Sequence, residues 1–141
     1  TVGICLDPSC NSDADCDAGY TCTLSGDTAS CEPIGDPAFI LTVPIEQFRD
    51  EYSFLTPDAY KEDYINILAP TTAFVQLDGQ DIPVSSFTSI PGTNYMVARL
   101  PASDGGHTLK ATQPVGLVVY GYHDDVSYGY PGGANLFDLG N

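Results

Sequence analysis

The sequence has no tryptophan, a single methionine and only four basic residues, and its cysteines stop at Cys31. Each shortage excludes something. Four Lys+Arg against 19 Asp+Glu leave a net charge of −15. Nucleic acids and anionic membrane surfaces both require basic patches, so neither is an expected partner. No apolar run approaches the roughly 18 residues that span a bilayer as a helix, so no membrane insertion is expected. The chain begins at Thr1, not Met, and shows no signal peptide. It is read as a processed or excerpted secreted protein. There is no G-x-S-x-G, no H-E-x-x-H and no glycine-rich phosphate loop, so the reading is a non-enzyme.

What is present is glycine and proline, 14 and 11 of them. That suits short strands and turns and does not suit long helices. Five cysteines, Cys5, Cys10, Cys16, Cys22 and Cys31, crowd the first part of the chain. Dense cysteine among Gly and Asp implies disulfides and an oxidising, extracellular location. Residues 1–35 are read as a stapled knot, too small to hold itself by burial alone. The expected pairing is Cys10–Cys22 and Cys16–Cys31. Cys5 is then left over, either for a partner cysteine outside this sequence or for a disulfide to another chain.

Pro33-Ile34-Gly35-Asp36-Pro37 reads as a linker. Beyond it, residues 36–141 carry strand candidates at roughly 8–12 residue spacing, the mark of an all-β domain. Ala38–Val43 is the first and Tyr52–Leu55 a weaker second. Tyr64–Ala69 alternates Ile65, Ile67 and Ala69 against Tyr64, Asn66 and Leu68. Ala73–Leu77 and Asp81–Val84 flank Asp78-Gly79, a strong hairpin signal. Phe87–Ile90, Tyr95–Leu100, His107–Thr112 and Val115–Tyr122 complete the set, and Gln47–Glu51 or Pro57–Asp63 has room for one helical turn. Val115, Leu117, Val118 and Val119 read as a fully buried strand, stopped by Pro131-Gly132-Gly133. The expectation is an antiparallel β-sandwich of about eight strands built around Val115–Gly133, with the disulfide knot at its N-terminal end.

Candidate site residues are few. Asn11, Asp13, Asp15 and Asp17 alternate oxygen ligands in a way that suits calcium, though the loop is not an EF-hand; the alternative is a set of solvated carboxylates. Apart from possible calcium, no cofactor is expected. Tyr120, Tyr122, Tyr128 and Tyr130 sit two apart within each pair, so each pair shares a face of an extended segment. They either stack on a sugar or a protein partner, or fill the core and tie it with hydroxyl bonds. His123-Asp124-Asp125 cannot converge on one ion, because neighbours on a strand point to opposite faces. His107 has no partner visible in the sequence. Arg99, on a strand, is expected to pair with a buried acid or with carbonyls.

An ordered series of blocks carries a resemblance: FILTVP, YSFLTPDAY, YINILAPTTAFVQLDG, IPGTNYMVARLP, GGHTLKA, PVGLVVYGY and SYGYPGG. Over Ala38–Gly133 the chain resembles bacterial-type members of the IgGFc-binding protein N-terminal domain family. The resemblance implies an extracellular protein associated with adhesion to glycoproteins or mucus-type matrices, and it brings no catalytic residues. The family domain is longer, with more β structure before the FILTVP-like block, where this chain has its knot. The knot itself resembles C-x-S-D-x-D-C-x-x-G-Y-x-C modules of secreted predatory-type bacterial proteins.

The expected role is therefore contact, in a secreted or cell-surface protein. One form is a homo-oligomeric or filament-forming subunit of a cell-surface fibre or matrix, joined through an unpaired sheet edge. The other is an adhesin module that holds a glycan or glycoprotein on its tyrosines, with calcium as a possible aid.

Overall fold

Two disulfides and one hairpin define the N-terminal part. Strands β1 (Tyr20–Ser25) and β2 (Thr28–Pro33) pair antiparallel, with Cys22 opposite Cys31. These two cysteines do not bond each other. Cys22 bonds Cys10 and Cys31 bonds Cys16, across sequence separations of 12 and 15 residues. Closing a loop of that size is worth about 3 kcal/mol in the chain-entropy model, enough to fix a hairpin with little core of its own. The structure, a computed structural model, describes residues 10, 16, 20–25, 28–33, 37–123 and 126–135. Cys5, Asp13, Asp15 and Asp17 lie outside these.

The remaining strands are β3 (Arg49–Thr56), β4 (Glu62–Pro70), β5 (Val75–Leu77), β6 (Gln80–Asp81), β7 (Thr88–Ser89), β8 (Tyr95–Ala102), β9 (Gly105–His123) and β10 (Val126–Pro131). All their pairings are antiparallel. Among the described residues there is no α-helix, only 3-10 turns at Ile45–Gln47 and Val84–Ser86.

The long strand β9 belongs to two sheets. Its first half pairs with β3 and β5, giving sheet I in the order β6-β5-β9-β3. Its second half pairs with β4 and β10, giving sheet II in the order β7-β8-β4-β9-β10. His107–Thr112 and Val115–Tyr122, expected as separate strands, are thus one strand across Pro114. Between Ala111 and Val115 no residue of β9 pairs with β3 or β5. A proline there removes no ladder hydrogen bond, which is why it does not end the strand.

The inner faces of both sheets meet in one core. Tyr52 and Phe54 of β3, Val75 of β5 and Leu109 of β9 come from sheet I. Ile65, Ile67 and Ala69 of β4, Met96 of β8, and Leu117 and Val119 of β9 come from sheet II, and Val115, opposite Arg49 of β3, stands where β9 passes from one sheet to the other. The alternation read in Tyr64–Ala69 is the observed burial pattern of β4, with the isoleucines inside. The Asp78-Gly79 turn joins β5 to β6, both residues at positive φ (51° and 78°), as such a hairpin turn needs.

Asp81–Val84 keeps only Asp81 in a strand, β6, before the 3-10 turn at Val84–Ser86, and one expected strand is not formed at all. Ala38–Val43 pairs with nothing in the sheets, and among the described residues its backbone makes no hydrogen bond. It runs extended toward the turn at Ile45–Gln47. The composition is that of a strand, but no partner edge inside the chain meets it.

Candidate functional site

The hairpin register decides where the tyrosines go. Tyr128 lies opposite Gly121, and Tyr130 opposite Val119; these positions face the core. Tyr120 lies opposite Gly129, on the outer face of sheet II, where Tyr122 follows it two residues on. The two pairs therefore sit on opposite faces of one sheet.

The inner pair is tied down. Tyr128 and Tyr130 pack against the core and stack on each other with centroids 6.1 Å apart. Tyr128 Oη donates to Oδ1 of Asp63, a carboxylate only 5% exposed. Burial, and then this carboxylate, hold the Tyr128 phenol far above its ordinary value of 10. The bond needs Gly121: a Cβ there would collide with the Asp63 carboxylate and the Tyr128 ring. Tyr130 Oη accepts the Leu55 N–H at 3.1 Å and donates to the Leu55 carbonyl. It thereby ties β10 of sheet II to β3 of sheet I.

The outer pair forms a polar-edged aromatic cluster with Tyr64. The Tyr64 and Tyr120 rings stack at 5.7 Å, and Tyr122 meets both edge-on at 6.5 and 5.8 Å. Tyr120 is itself 6% exposed, so it is the floor of the cluster, and Tyr64 and Tyr122 are its half-exposed walls. Arg99 Nε donates to Tyr120 Oη at 2.6 Å, and its guanidinium lies 5.6 Å from the ring centroid. Tyr120 Oη donates on to Asn66 Oδ1 (3.2 Å), and Tyr64 Oη to Glu62 Oε2 (2.7 Å). Arg99 thus bonds a tyrosine hydroxyl in place of the acid or carbonyl expected for it. Among the described residues no carboxylate forms an ion pair with it.

The unpaired segment crosses the same outer face. Ile40 rests on Gly129, where any side chain would displace it. Its neighbours point away: Phe39 is 90% exposed and Leu41 76%. Further on, Thr42, Val43, Pro44, Ile45 and Phe48 wall a mostly apolar groove of about 230 Å³ over Leu68, Val97 and Val118.

His107 finds partners that the sequence did not show. Its Nδ1 lies 2.7 Å from Asp78 Oδ2 and its Nε2 2.7 Å from the Ser103 carbonyl, with its ring stacked on Phe54. Burial opposes charging this imidazole. Acceptors at both nitrogens outweigh it and raise the pKa above 6.5. The arrangement is a structural pin joining the β5–β6 turn to the β8–β9 turn. His123 closes β9 half-buried; Asp124 and Asp125 lie outside the described residues.

Among the described residues, the one group of three close potential metal ligands is Cys10, Cys16 and Cys31, and these sulfurs are already in disulfides. No helix of the described residues is long and apolar enough to cross a membrane.

A family model described as IgGFc binding protein matches residues 13–121. The match runs from inside the cysteine-rich part to Gly121 in β9 and stops before β10. No curated protein and no solved structure gives a significant match.

Proposed function

The chain belongs to the IgGFc binding protein family, and on that premise we propose that it is a non-enzymatic extracellular structural module that associates with copies of itself, as a subunit of a cell-surface fibre or matrix. The family description names binding and no catalysis, and the two disulfides fit an oxidising compartment.

The observation that carries this reading is Ala38–Val43. It is an apolar, strand-competent segment without backbone partners, and it holds Phe39 and Leu41 in water. Burying the two side chains would contribute about 3–6 kcal/mol at about 1.5–3 kcal/mol each. Association costs at least about 4 kcal/mol in lost rigid-body freedom, so the side chains alone only balance it. Backbone hydrogen bonds, an interchain disulfide through Cys5, or cations on Asp13, Asp15 and Asp17 that screen the acidic copies would supply the surplus. Light scattering over a concentration series, with negative-stain imaging and a non-reducing gel, tests the reading. Assemblies that grow with concentration are expected; monomer throughout would overturn it.

The outer aromatic cluster favours a second reading, an adhesin module for a glycan or glycoprotein. Tyr64 and Tyr122 flank Tyr120, with Arg99, Asn66 and Glu62 at the rim, which is the mix of ring faces and hydrogen-bonding groups a sugar requires. A glycan array probed with and without calcium tests it. Binding lost in Tyr122→Ala supports it, and no binding in either condition retires it.

A further inference from the structure

Self-association through Ala38–Val43 has an identifiable acceptor, whose assignment rests on that reading of the segment. In β9, Thr108 spends its backbone groups on the far side of sheet I. Its N–H goes to Asp78 Oδ1 (2.8 Å), and its carbonyl takes the Asp78 N–H (2.8 Å). Thr112 likewise donates to the Phe74 carbonyl. The even-numbered residues of this half of β9 therefore turn away from β3. Ser53 opposite Thr108, and Glu51 opposite Lys110, are then non-hydrogen-bonded pairs. By the same alternation the N–H and C=O groups of Glu51, Ser53 and Leu55 point outward, along the free side of β3.

At Leu55 both groups are taken by Tyr130 Oη. At Glu51 and Ser53 no described residue takes them. They open on a groove of about 340 Å³ lined by Arg49, Glu51, Tyr52, Ser53 and Gly132. A short length of open sheet edge thus faces a space between β3 and the chain leaving β10, and Tyr130 closes it at one end.

We propose that Ala38–Val43 of one copy adds as a strand to this edge in the next copy, hydrogen-bonding to Glu51 and Ser53. The segment is apolar and uncharged, and Pro37 and Pro44 delimit it. The acceptor groove carries one positive and one negative side chain, Arg49 and Glu51. The contact therefore brings together none of the like charges that make copies at −15 repel. The chain's own segment is kept from folding back on its own β3. Phe48 is buried, and the Gln47 carbonyl accepts the Asn135 N–H at 2.8 Å, so the connection between them is anchored on sheet II. Donor and acceptor are different surfaces, so the contact repeats head to tail and need not close.

Two blocked chains test it. Phe39→Asp with Leu41→Asp disables the donor; Ser53→Pro removes an outward N–H that no ladder bond uses. Each alone is expected to be monomeric, with its melting temperature reporting that it is folded. Mixed one to one, they are expected to give a particle of twice the monomer mass that grows no further, because only one donor and one acceptor remain between them. If Ser53→Pro does not fold, Leu41→Cys and Ser53→Cys chains in a Cys5→Ser background are oxidised together. A dimer from the mixture, and none from Leu41→Cys alone, is expected. Native chain that associates while the blocked mixture stays monomeric, or while the cysteine mixture gives no cross-link, would overturn this contact and leave self-association standing. Native chain that never associates would overturn self-association itself.

Discussion

Ala38–Val43 and Val115–Val119 are built from the same kinds of residue and have opposite fates. The second is the middle of β9, paired at Val115 with β3, from Gly116 with β4 and from Val118 also with β10, with Val115, Leu117 and Val119 in the core. The first lies over sheet II, with Ile40 on Gly129 and Val43 at the groove wall, while Phe39 and Leu41 stand in solvent. Composition marks both as strands; only the presence of neighbours separates them. Strand propensity describes fitness for a pleated, half-buried surface, and a surface has to be there.

The contrast predicts which substitutions the fold feels. Leu117→Ala should cost about 2–5 kcal/mol, read as a lower denaturant midpoint, because it opens a cavity where the sheets meet. A value under about 1 kcal/mol would mean that β9 is not the centre of the core. Tyr128→Phe should cost about 1–3 kcal/mol, since it strips a nearly buried carboxylate, Asp63, of its donor. Asp63→Asn together with Tyr128→Phe should recover part of the loss. At His107 the effect is smaller and depends on pH. Its folded pKa lies above 6.5, so its contribution is fully present below that pH and fades as pH rises through the folded value. Its partner Asp78 is held below 3.8 by His107 and by the Thr108 N–H. That contribution is present above pH 3.8 and lost as pH falls through the folded value. Melting temperature against pH should therefore peak between these limits, and His107→Gln should flatten the upper flank. The smallest effect belongs to Phe39→Asp with Leu41→Asp, whose monomer should melt close to the native chain. A large loss would show that the segment belongs to the fold.

Much of this architecture is legible along the chain, because burial of one sheet face imposes a period of two. The alternation in β4, the Asp-Gly turn and the apolar run of β9 each report a local constraint. What is not legible depends on residues far apart. Pro114 looks like a break and is harmless, because it stands where the strand changes sheets. The spacing of the tyrosines places each pair on one face, but only the β9–β10 register says which. His107 meets Asp78 across 29 residues, and no spacing rule links them. The exposed Phe39 and Leu41 are invisible for the same reason, since a missing neighbour leaves no trace in a sequence. Asp13, Asp15, Asp17 and Cys5 lie outside the described residues, and calcium binding or an interchain disulfide there stands as a proposal.

Only Pro44–Phe48 stand between the loose segment and β3. Should copies join through those two stretches, a pull along the assembly enters one end of this short connection and leaves by the other. The two layers of sheet would hang beside the line of force, like beads tied to a cord. Such a strand could be stretched hard at its joints while the beads themselves remain slack.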